Sequence, residues 1–73
     1  MNKNLYKELW RIRFSKMLIL EKQSIGHYQD LLTECQSKNM DHPVEQHLER
    51  LITDEKKHTA LVEELLSILD RQP

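Results

Sequence analysis

A chain of 73 residues is one domain at most, and at that size a single hydrophobic core leaves little surplus stability without a staple or a partner. Lys and Arg number 11 against 12 Asp and Glu, a formal charge of −1 that favours neither nucleic acid nor an anionic membrane as partner. One glycine and three aromatic types at 5% argue against a small β-barrel, and the single cysteine, Cys35, supports neither an intrachain disulfide nor a thiolate metal cluster. Oligomerisation is the remaining route to stability.

The N-terminus carries no apolar stretch long enough for a signal peptide, because polar and charged residues interrupt it through position 16. The run Met17–Leu20 is far too short to span a bilayer. The expected setting is soluble, reducing and cytoplasmic, with no membrane partner.

Residues 3–35 read as one long helix. Phe14, Met17, Leu18, Ile25, Tyr28, Leu31, Leu32 and Cys35 recur at spacings of three, four and seven, the mark of a core-facing stripe. Glu21 and Ser24 interrupt that stripe. Glu21 lies seven residues after Phe14 and seven before Tyr28, on nearly the same azimuth as both. Gly26 sits inside the same helix and costs it roughly 1 kcal/mol of propensity relative to alanine.

Residues 36–42 are polar and hold the turn and cap formers Ser37, Asn39 and Asp41, so they read as the connection. Pro43 suits a first helical position, which makes His42 the expected N-cap with Asp41 as the alternative, and puts Glu45 in the first turn. A second helix follows over 43–70. Its apolar stripe runs through Leu48, Leu51, Ile52, Thr59, Val62, Leu65, Leu66 and Leu69, and Glu55 and His58 fall within it. Residues three apart share a helix face, so these two point the same way. The expected fold is therefore all-α, one domain over residues 1–73, a long antiparallel helical hairpin. Stripes this wide outrun what one hairpin can bury, and two copies about a twofold axis would form a four-helix bundle.

The core-facing carboxylates need a partner, a proton or a metal. Glu21 precedes the connection by about as many residues as Glu55 follows it, so an antiparallel hairpin brings them to nearly one height. A twofold axis would then gather four carboxylates and two imidazoles at one level. Such a set repels itself when empty and is neutralised by two divalent cations, each taking one imidazole nitrogen. Oxygen-rich ligation with one nitrogen per ion suits iron(II), manganese(II) or zinc.

The run Glu21-Lys-Gln-Ser24-Ile-Gly-His-Tyr28, with Asp54-Glu55-Lys-Lys-His58 placed 34 residues on, resembles the rubrerythrin branch of the ferritin-like superfamily, cut to half length. The likeness covers residues 5–70. It implies a ferritin-like four-helix bundle built from a homodimer and a di-iron carboxylate centre, two iron ions per dimer with manganese or zinc as substitutes. The resemblance assigns Glu21, Glu55 and His58 as metal ligands, and Tyr28 and Asp54 as residues that support them from behind. It also implies oxidation of iron(II) by dioxygen or hydrogen peroxide, of ferroxidase or peroxidase type, in iron handling or peroxide defence. The chain departs from the family in holding half of the usual bundle and in lacking the paired Cys-x-x-Cys of a rubredoxin domain. The rival expectation is a non-catalytic dimeric helical interaction or metal-sensing module.

Overall fold

The computed structural model describes residues 3–40 and 42–72. It holds two α-helices, α1 over Lys3–Ser37 and α2 over His42–Asp70, and no strand among the described residues. They pack side by side into a rod of 56 × 14 × 12 Å. Among the described residues no helix is long and apolar enough to cross a membrane.

The connection is shorter than the composition suggests. Helix α1 runs two residues past the expected end, and α2 starts at His42, one residue early. Asn39 explains the first shift. It takes the left-handed conformation, with φ at 51°, which asparagine tolerates better than other side chains bearing a Cβ. Around it, the Met40 N–H donates to the Cys35 carbonyl at 3.2 Å and the Asn39 N–H to the Gln36 carbonyl at 3.3 Å. Those two bonds define a Schellman C-cap. They satisfy carbonyls that would otherwise be orphaned and turn the chain within a few residues. His42, the expected N-cap, is the first helical residue; Asp41, the alternative cap, lies outside the described residues.

At the far end of the rod the Lys7 ammonium donates to the carbonyls of Asp70 at 3.3 Å and Gln72 at 2.8 Å. A cation at the C-terminus of α2 complements the helix dipole there. Arg11 bridges Glu8 on its own helix and Asp70 on the other. Its guanidinium is held above the ordinary arginine range, chiefly by the hydrogen bond to Glu8.

The seam between the helices follows strict heptads. On α1 the seam positions, half-buried or buried, are Lys7, Phe14, Glu21, Tyr28 and Cys35 in one column, and Arg11, Leu18, Ile25 and Leu32 in the next. On α2 they are Glu45, Ile52, Thr59 and Leu66 beside Leu48, Glu55, Val62 and Leu69. A repeat of 3.5 residues is what keeps two long helices in register along their length. Among the described residues only Cys35, Ile52 and Val62 are buried. The apolar stripe expected from the sequence is wider than this seam: Met17, Leu31, Leu51 and Leu65 are exposed at 43, 38, 42 and 40%.

The two long sides of the hairpin differ. One flank carries Glu8, Ser15 and Lys22 from α1 and Lys56, Glu63 and Asp70 from α2, and the Lys22–Glu63 ion pair spans it at 3.7 Å. Antiparallel packing then puts the opposite heptad flanks together on the other side: Trp10, Met17, Ser24 and Leu31 from α1 with Val44, Leu51, His58 and Leu65 from α2. One side is charged and laced. The other is apolar and open.

Candidate metal centre

Glu21 and Glu55 face each other across the seam, in columns otherwise filled mainly by Phe14, Tyr28, Cys35, Leu48, Val62 and Leu69. His58 lies one turn beyond Glu55. One ligand atom from each of Glu21, Glu55 and His58 falls within 4.8 Å of the others, and no further His, Cys, Asp or Glu joins them among the described residues. The height match expected from counting along the chain is thus realised in space.

Burial differs from the expectation at one position. The Glu55 side chain is 22% exposed, but His58 is 56% exposed and belongs to the open flank rather than the seam. The cause is a single step of the heptad. Glu55 is a seam residue, and a position three residues further lies about 60° away in azimuth, toward the open side. His58 Nδ1 stands 3.6 Å from Glu55 Oε1, an ion pair only when the ring is protonated.

An acid–imidazole pair at this spacing is weak evidence by itself. His42 and Glu45 make another, at 3.4 Å, at the start of α2. The third ligand, from the other helix, sets the central group apart. Glu21 Oε2 is sealed from solvent and has no hydrogen-bond partner, and among the described residues no Lys or Arg pairs with Glu21 or Glu55. A buried carboxylate oxygen without a donor costs roughly 1–3 kcal/mol or more. Facing a second carboxylate makes the placement worse unless a cation lies between them.

The donors fit such a cation. Bonds of about 2.1 Å to one ion put its ligands at most about 4.2 Å apart, close to the 4.8 Å spread of the three donors. Two carboxylates and one imidazole form a hard, oxygen-rich set suited to iron(II), manganese(II) or zinc. Three donors leave a six-coordinate ion short of ligands. The open side, where His58 emerges, is where the others must come from.

The two supporting residues are less engaged. Tyr28 is a half-buried seam residue whose ring lies 6.3 Å from that of His27. Asp54 is half-buried beside Glu55. Neither makes a hydrogen bond or ion pair to the three central residues among the described residues. The nearest local bond is that of Thr59, whose hydroxyl donates to the Glu55 carbonyl at 2.9 Å and pins the turn carrying the motif. Threonine in a helix commonly back-bonds in this way, and its i+4 spacing from Glu55 is the only sequence signal for it. Compared with known protein families, curated proteins and solved structures, the chain matches none.

Proposed function

We propose that this protein is a di-iron or dimanganese carboxylate protein that oxidises iron(II) with dioxygen or hydrogen peroxide, its site completed by a second copy of the chain. The observation that carries the reading is the sealed, partnerless Glu21 Oε2 facing Glu55 and His58 from the opposite helix. Two copies would supply four carboxylates and two imidazoles, the donor set of a ferritin-like di-iron bundle. The half-length likeness to the rubrerythrin branch supports the same assignment.

The chemistry supplied by a bound iron pair is one electron from each ion, so that two iron(II), one hydrogen peroxide and two protons give two iron(III) and two waters. The residues' part is to hold and shield. Glu21 and Glu55 neutralise the ions, and the apolar seam on either side limits bulk water. His58, on the rim, offers a ring nitrogen and would stand where solvent and oxidant enter.

The test is metal content and turnover. Purified protein titrated with iron(II) in air should bind about one iron per chain and develop the near-ultraviolet absorbance of iron(III), and Glu55→Ala should lose both. A folded protein that binds no transition metal, and that Glu55→Ala leaves unchanged, refutes the reading and favours the helical interaction module. Stoichiometric metal without an oxygen-dependent absorbance change identifies a metal sensor instead.

A further inference from the structure

We infer that the open flank is the surface on which the second copy docks, about a twofold axis lying across the helices at the level of Ser24 and His58. The inference rests on the proposed metal centre only for the height of that axis. Its other supports are independent of any metal.

The hairpin has little core of its own: among the described residues the buried side chains are Cys35, Ile52 and Val62, and none of them is completely enclosed. It needs a partner along its length. A standard stable interface takes about 800 Å² from each partner, and one long side of a 56 × 14 Å rod is of that size. Of the two sides, one is charged and spanned by Lys22–Glu63. Docking there would strip solvent from ions already paired. The open side presents Met17 and Leu31 on α1 with Leu51 and Leu65 on α2, and its central polar residues are Ser24 and the imidazole of His58. That surface offers no net charge to attract a nucleic acid or a charged peptide.

It is also self-complementary. Leu51 and Leu65 lie seven residues on either side of His58, and Met17 and Leu31 seven on either side of Ser24. Seven residues are two turns, roughly 10 Å. A twofold axis across the helices at the central level exchanges the two heights, so Leu51 of one copy meets Leu65 of the other. The same operation brings the partner's carboxylates and imidazole to the open coordination positions. An unrelated partner would have no reason to match this spacing. Exposed apolar residues also line the back of α1, at Leu5, Leu9, Ile12 and Ile19, but there no second helix widens the patch.

Sedimentation velocity on the full chain, in chelator and then in manganese(II), tests the inference. The wild type should sediment at twice its 8.8 kDa chain mass. Leu51→Glu and Leu65→Glu should each weaken the dimer by about 100-fold or more, since each buries an uncompensated charge; Ile12→Glu should leave it unchanged. A mixture of Leu51→Lys with Leu65→Glu should recover the dimer, because the twofold sets the new charges opposite each other. That recovery is readable by circular dichroism even if each variant alone unfolds. A monomeric wild type in both buffers overturns the inference, as does dissociation by Ile12→Glu with Leu51→Glu tolerated, or a mixture that fails to re-form. A dimer that binds no metal leaves the interface standing and removes the metal centre; a monomer that binds one metal per chain does the reverse.

Discussion

Glu21 is the residue on which the functional argument is most exposed. Its Oε2 has no partner, so replacing the carboxylate by its neutral isostere removes an electrostatic cost and a ligand at once. Glu21→Gln should leave the metal-free melting temperature unchanged or higher, while weakening manganese(II) binding by at least about 10-fold. Calorimetric titration and a thermal melt in chelator report the two effects separately. A carboxylate held there for structural reasons alone would give the opposite pair of results, a lowered melt and no change in metal affinity. His58 differs in kind: more than half exposed, it contributes little to the fold of one hairpin, and its loss should be read in metal binding.

Two backbone features, one inside α1 and one at its C-terminal cap, can each be weighed alone. An added Cβ at Gly26 meets nothing within 4 Å, so this glycine serves no close approach within the hairpin. Gly26→Ala should raise stability by roughly 1 kcal/mol, a gain of about 4–8 °C in melting temperature for a domain of this size. Asn39 closes α1 in the left-handed conformation. Asn39→Ala should cost about 1 kcal/mol through Cβ strain, and Asn39→Gly should be neutral or slightly stabilising. Both are checked by thermal melts at fixed protein concentration, which keeps assembly out of the comparison.

For the whole molecule, the proposed dimer would make folding and association one process, because one hairpin buries so little surface. The melting temperature should therefore rise with protein concentration, as mass action requires of a dimer that unfolds to separate chains. Manganese(II) at 100 times its dissociation constant should add about 2.7 kcal/mol of stability. Melts over a hundredfold range of protein, with and without metal, measure both. A melting temperature independent of concentration would mean that the hairpin stands alone.

Two long helices, their antiparallel order and the three residues of the candidate centre are readable from periodicity, from one polar connection and from counting residues to either side of it. Those properties depend on rise per residue and on where the chain turns, and both are local. The division of the apolar stripe is not local. Ile52 and Leu51 are neighbours in the same hydrophobic run, as are Leu66 and Leu65, yet the first of each pair enters the seam and the second is left on the open flank. A sequence stripe spans 100° or more of azimuth, whereas contact with one antiparallel helix covers the narrower heptad seam. The azimuth at which α1 and α2 meet was therefore decided only in three dimensions, and it placed Glu55 in the seam, His58 on the rim, and Met17, Leu31, Leu51 and Leu65 on the open flank.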